Sequence, residues 1–126
     1  MNVGDVFTVE FPPRGGHEQA GRRPAIILQS RQASSQVPTV LCIPFTTQLE
    51  ALRFPGTVLV EPDGNNGLRR ASIALVFQLT AIDQRHVKDR RGRLSAEVLN
   101  AIWKAFDELA ERTPPAPGTP PPVPVS

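Results

Sequence analysis

Tyrosine is absent from the chain, and tryptophan, methionine and cysteine occur once each in 126 residues. A single cysteine excludes an intramolecular disulfide. Lying between Leu41 and Ile43, Cys42 reads as a small buried hydrophobe rather than a nucleophile. Histidine is scarce too. His17 and His86, with carboxylates at no characteristic spacing, give no metal signature, and no metal or other cofactor is expected. The chain also lacks a phosphate-binding P-loop and a dinucleotide fingerprint, which argues against kinase and dehydrogenase chemistry. No apolar run approaches the roughly 18 residues of a membrane span. Met1-Asn2-Val3-Gly4-Asp5 carries neither a basic region nor an apolar signal segment, so a cytoplasmic protein with no membrane partner is the expectation.

What the chain does have is proline and unevenly placed arginine. Half of its fourteen prolines fall after Thr113, at Pro114, Pro115, Pro117, Pro120, Pro121, Pro122 and Pro124. Such a segment can neither continue a helix nor join a sheet, because proline lacks the backbone donor and fixes φ. Residues 1–112 therefore read as one domain and 113–126 as a disordered or polyproline tail. The formal charge is only +2, yet Arg85-His86-Val87-Lys88-Asp89-Arg90-Arg91-Gly92-Arg93 holds five Lys or Arg against one Asp. Arg22-Arg23 and Arg69-Arg70 add two more basic points. A polyanion partner fits this distribution, since phosphate binding needs local rather than total charge; for the 85–93 run the competing reading is solvated surface.

Strands dominate the domain and a helix closes it. Val6–Phe11 reads as a strand ended by Pro12-Pro13, with Ala25–Gln29 and Thr39–Phe45 as short central strands. Gly56–Glu61 alternates before the turn at Pro62-Asp63-Gly64-Asn65-Asn66-Gly67. Ser72–Gln78 is a further strand that Leu79–Ile82 extends past a bend. Polar, Gly- or Pro-marked connections too short for crossover helices predict a mainly β fold, a small antiparallel barrel with a C-terminal helix. Ser95 is the expected N-cap of that helix, with Glu97 in its first turn. Val98, Leu99, Ile102, Trp103, Phe106 and Leu109 form an apolar stripe predicted to pack on the barrel, and Arg112 is placed in the last turn.

The unusual feature is Gly16-His17-Glu18-Gln19-Ala20-Gly21-Arg22-Arg23-Pro24, running directly into Ala25-Ile26-Ile27-Leu28. Two arginines, a carboxylate and an imidazole are expected in a loop at the mouth of a core strand. Thr46-Thr47-Gln48 similarly follows Ile43-Pro44-Phe45. Metal-free RNA cleavage fits such residues, because the ribose 2′-OH is an internal nucleophile. The protein then has only to assist proton transfer and stabilise the charged transition state. Arginine suits the second task through bidentate phosphate contact, and a threonine hydroxyl donates to the same group.

Those two segments resemble the MazF/PemK-type toxins of bacterial type II toxin–antitoxin modules. Gly4-Asp5-Val6, Gly67-Leu68, Ser72, Gln78 and Ile82-Asp83 fit the same order, and the resemblance covers roughly residues 3–110. It implies an SH3-like barrel of the MazF/PemK/CcdB type and a homodimer. The activity it implies is that of a sequence-specific, ribosome-independent, metal-independent endoribonuclease. The substrate would be single-stranded mRNA, cut to 2′,3′-cyclic phosphate and 5′-hydroxyl ends, with a MazE-like antitoxin as the inhibiting partner. Position by position it makes Arg23 the principal phosphate group and Thr46 the hydroxyl that positions the scissile phosphate. The structural alternatives are a loop brace for Arg23 and a turn cap for Thr46. His17 is the third catalytic candidate by its ordinary pKa. Glu18, Gln19, Arg22, Thr47, Gln48, Arg69, Arg70, Ser72 and Gln78 make up the expected RNA-binding set.

One departure stands out. Plasmid-encoded relatives place an arginine and an aspartate just before the glutamine that Gln78 matches, whereas here the stretch is Leu75-Val76-Phe77-Gln78. Their proton-transfer scheme does not carry over intact. Two other readings compete with the ribonuclease: a same-fold toxin that poisons DNA gyrase, and a non-catalytic nucleic-acid-binding barrel.

Overall fold

A computed structural model describes residues 1–13 and 21–112. His17, Glu18, Gln19 and the proline-rich tail lie outside the described residues. The first strand, β1 (Asp5–Phe11), turns Val6, Val9 and Phe11 into the core. It is followed by β2 (Gly21–Ile27), the short helix α1 (Arg31–Ser34), β3 (Thr39–Thr46), β4 (Thr57–Val60) and β5 (Ser72–Leu75). Strands β6 (Thr80–Asp83) and β7 (Val87–Arg93) precede helix α2 (Ala96–Leu109).

The strand order is β4-β5-β3-β2-β1-β7, with β6 also on β3, and every pairing is antiparallel. The path ends on β4 and β7 without closing, so the barrel is a curled open sheet. Strand β3 is its hub. Thr39–Cys42 pair with β6, Cys42–Pro44 with β2, and Phe45–Thr46 with β5. A strand with neighbours on both edges and cover on both faces reads as a continuous apolar run, as Val40, Cys42, Ile43 and Phe45 do. Burial also pushes the Cys42 thiol up to about 12, which keeps it protonated and inert.

Successive residues of β2 point to opposite sides and enter different cores. Ile26 joins Val6, Ile43, Phe45 and Ile102 of α2, whereas Ala25 and Ile27 join Val9, Phe11, Val40 and Ile82. Ser95 caps α2 as expected, its hydroxyl accepting from Val98 N at 3.2 Å. Trp103 does not enter the core. It is 38% exposed and meets Phe106 edge-on, while Ile102 and Ala105 make the buried contact. Arg112 lies beyond the helix end and pairs instead with Asp107 at 2.7 Å.

Three other elements differ from expectation. Strand β2 begins at Gly21, so Arg22 and Arg23 stand on a strand rather than in a loop. Val76–Gln78 is a 3-10 turn after β5, and Thr80–Asp83 is a separate strand on β3. The basic run contains β7, an edge strand paired with β1. Its charges hide apolar alternation but suit an edge, where they discourage further strand addition.

Part of that charge balances Asp5, which is buried at the start of β1. Its carboxylate accepts from Asn2 N at 2.9 Å and from Arg93 Nη1 at 2.9 Å, with Arg90 Nη2 at 3.5 Å. Burial pushes the Asp5 pKa up, but the amide and the two guanidiniums outweigh it and hold it below its ordinary value.

Two outcomes follow from these contacts. Ile102→Ala should lose about 3 kcal/mol in denaturant unfolding, and Trp103→Ala about 1 kcal/mol, because only the first leaves a cavity. For Asp5, a folded pKa below the unfolded one makes its contribution complete above about pH 4 and lost as pH falls through the folded value. Asp5→Asn should therefore unfold about 2 kcal/mol more easily at pH 7. Its stability should also decline less than the parent's on acidification, read by urea titration between pH 7 and pH 3.

Candidate nucleic-acid interface

The site begins where β2 and β3 part. Their ladder runs Ile27↔Cys42, Ile26↔Ile43 and Ala25↔Pro44 and stops there. The next bond would run from residue 24 to the Phe45 carbonyl, and Pro24 has no N–H to donate it. Beyond Pro44, β3 turns to β5 through Phe45↔Ala74 and Thr46↔Ile73, while β2 continues along β1 to Phe11↔Gly21. A cavity of about 490 Å³ adjoins the opening between the two strand ends.

Arg23 and Thr46 both line it. Arg23 is partly buried and donates from Nη1 to the Phe45 carbonyl at 3.2 Å, which ties the two parted strands together beside Thr46. Burial lowers the Arg23 pKa, since a low-dielectric setting disfavours the cation. Thr46 is buried, and its Oγ1 accepts from Gln48 N at 3.2 Å. That contact is the turn cap foreseen as the structural alternative. It also fixes the side chain while leaving the hydroxyl proton available to a ligand oxygen.

The rest of the rim comes from two loops and three strands. Thr47 and Gln48 extend the Thr46 side. Arg22 stands on the β2 side and faces Glu10 across the ladder, at 3.4 Å; both side chains are largely exposed, so the pair braces weakly. The opposite wall is Leu68, Arg69 and Arg70, with Ser72 below, its hydroxyl donating to the Arg70 carbonyl at 3.0 Å. Arg91 reaches the same cavity from β7. Five arginines thus line it and no carboxylate does, among the described residues. Such a concavity attracts anions, and its guanidiniums match phosphate geometry. Among the described residues, no group of three His, Cys, Asp or Glu side chains is placed to hold a metal ion.

Of the residues singled out from sequence, Arg22, Arg23, Thr46, Thr47, Gln48, Arg69, Arg70 and Ser72 meet at this cavity. Gln78 does not line it; it ends the 3-10 turn beyond β5. His17, Glu18 and Gln19 lie outside the described residues. Arg91 was missed as an individual, hidden in a basic run that composition treats as one feature. Phe45, Pro24 and Leu68 also line the cavity, and apolar residues of that kind carry no signal of a site.

Comparison with known proteins places the chain in a family. The Escherichia coli K12 protein named endoribonuclease toxin MazF is 32% identical over 109 residues, 86% of this chain and 92% of that one. Endoribonuclease EndoA of Bacillus subtilis is 28% identical over 103 residues, 82% of this chain and 88% of its own. The crystal structure of MazF from Deinococcus radiodurans superimposes with a TM-score of 0.74 at 23% identity, covering 88% of this chain and 96% of that one. A mycobacterial endoribonuclease solved with its cognate antitoxin gives 0.72 at 15% identity, covering 91% and 99%. Those two likenesses establish the fold. Residues 2–110 match the family model of the PemK-like, MazF-like toxins of type II toxin–antitoxin systems, and the chain belongs to that family.

Proposed function

We propose that the protein is the toxin of a type II module and acts in the cytoplasm as a sequence-specific, ribosome-independent endoribonuclease on single-stranded mRNA. The observation that carries the reading is the meeting of Arg23 and Thr46 in a cavity lined by arginines and no carboxylate. The family membership and the relatives' names point the same way.

The reaction needs neither metal nor protein nucleophile. The substrate's 2′-oxygen attacks phosphorus, the O2′–P bond forms and the P–O5′ bond breaks, giving a 2′,3′-cyclic phosphate and a 5′-hydroxyl. One proton leaves the 2′-OH and another reaches O5′. Negative charge grows on the non-bridging oxygens of the transition state, where fixed donors contribute most. Arg23, held by the Phe45 carbonyl, is aimed at that charge, and the Thr46 hydroxyl donates beside it. A guanidinium stays protonated at neutral pH even when burial lowers its pKa, so Arg23 serves as a charge stabiliser rather than a base. His17 is assigned the proton-transfer role on its ordinary pKa. Glu18, Gln19, Arg22, Thr47, Gln48, Arg69, Arg70, Ser72 and Gln78 are assigned to RNA contact and loop organisation.

The working unit proposed is a homodimer. Leu49, Leu52, Phe54 and Phe77 are each more than 40% exposed and offer apolar surface to a second copy. Phe54 and Phe77 also meet with their rings tilted at 57° and centroids 5.7 Å apart. A MazE-like antitoxin is the inhibiting partner, a reading supported by structural neighbours solved as MazE–MazF complexes.

Purified protein incubated with a long RNA in EDTA should yield discrete fragments with 5′-hydroxyl ends. Arg23→Ala should lower kcat by about 10²- to 10³-fold, and Thr46→Ala by about tenfold. A 2′-deoxy sugar at the mapped cut should abolish cleavage, since it removes the nucleophile. Intact RNA alongside inhibited DNA gyrase would overturn the reading, as would RNA bound but never cut.

A further inference from the structure

The strand carrying the basic run is irregular where it passes the cavity. Against β1 the partners are Asp5↔Arg93 and Val6↔Gly92, then Phe7↔Arg90, so Arg90 and Arg91 together oppose Phe7. This is a β-bulge, a device that breaks the alternation of a strand and re-aims a side chain. Here the Arg91 guanidinium meets the Gly67 carbonyl, with Nε at 3.2 Å and Nη2 at 2.9 Å. Its Nη1 lies 3.5 Å from Thr8 Oγ1. Of five guanidinium N–H groups, the Gly67 carbonyl engages two, so Arg91 is committed to the loop more than to solvent.

Strand β7 grips the same loop at other points. Arg93 N donates to the Asn65 carbonyl at 2.9 Å. A Cβ on Gly92 would collide with that carbonyl, and a Cβ on Gly67, whose φ is +73°, would collide with the Arg91 carbonyl. Glycine at both positions lets the two backbones touch. Within the loop, Asp63 Oδ1 accepts from Asn65 N and Asn66 N at 2.8 and 2.9 Å, and the buried Asn66 accepts from Leu68 N at 3.0 Å. The residues presented by this clamp are Arg69 and Arg70, exposed on a wall of the cavity formed by this loop rather than by the strands of Arg23 and Thr46.

Arg23 with Thr46 accounts for one phosphate. Arg69 and Arg70 form a second concentration of positive charge, with no carboxylate among the lining residues to neutralise it. A single strand of RNA presents its phosphates in series, so a second cationic wall matches the next one along. We propose that Arg69 and Arg70 form a subsite for a phosphate flanking the scissile one, and that Arg91 is its positioning residue, acting through the Gly67 carbonyl. The proposal rests on the ribonuclease reading above.

Its test uses the full chain and an RNA oligonucleotide spanning a cut first mapped in a long transcript. The oligonucleotide is made with all phosphates native, or with the phosphate on either side of the cut replaced by an uncharged methylphosphonate. In the wild-type protein one replacement should raise KM about tenfold with kcat held. In Arg69→Ala and Arg91→Ala the native oligonucleotide should already show that rise, and the same replacement should add less than about twofold. Arg91→Lys, which keeps one donor toward Gly67, should fall between. A purely structural Arg91 would instead slow all three substrates by one common factor, and that result overturns the assignment. A wild-type KM indifferent to both replacements overturns the subsite. If Arg91→Ala does not fold, Arg69→Ala tests the subsite and Arg91→Lys the positioning. Failure of the ribonuclease reading is distinct, because then the wild-type protein cuts no long transcript, whether or not it binds RNA, and the subsite falls with it.

Discussion

The parting of β2 and β3 is the constraint on which the site depends. Pro24 sits where the next bond of their shared ladder would run to the Phe45 carbonyl, and it has no N–H to donate. Strand β3 then pairs with β5 while β2 stays with β1. The opening exposes strand-end backbone, and the Arg23 guanidinium spans it to the Phe45 carbonyl. A sheet zipped to its end would leave no concavity between these strands, and Arg23 would have no partly buried position from which to meet an anion.

Charge is distributed by the same geometry. The chain's formal excess is small, yet the cavity gathers five arginines, while other basic residues pair elsewhere. Arg90 and Arg93 are drawn to buried Asp5, and Arg85 pairs with Asp83. The desolvated carboxylate has the strongest claim on neighbouring cations, and it lies away from the cavity. Arg69 and Arg70 are left facing the opening. A cavity lined by arginines and, among the described residues, by no carboxylate therefore arises without a strongly basic protein.

Much of the fold was legible. Val6–Phe11, Thr39–Phe45 and the Ser95-capped helix carry strong local signals, and each stands within a residue or two of its expected place. The failures have physical causes. Strand β7 is an edge paired on one side, so charge rather than alternation marks it. Trp103 sits at helical spacing with core residues, but a stripe has edges, and only packing shows that Ile102 and Ala105 are at its centre. Leu75-Val76-Phe77-Gln78 reads as strand by composition, yet its chain bends into a 3-10 turn after Leu75.

The sequence by itself determined the family and singled out Arg23 and Thr46, the two residues on which the proposed chemistry rests. Arginine, threonine, glycine and proline stand in an order that local chemistry and family resemblance both recognise, and those are properties of residue type and spacing. Only the tertiary structure decided which residues share a cavity. It brought Arg69 and Arg70 to the wall of that cavity, left Gln78 outside it, and singled out Arg91 from the five Lys and Arg of its run. Convergence depends on where strands part, where a bulge turns a side chain, and which glycines let backbones touch. Those are relations between segments far apart in the chain, and no local window contains them.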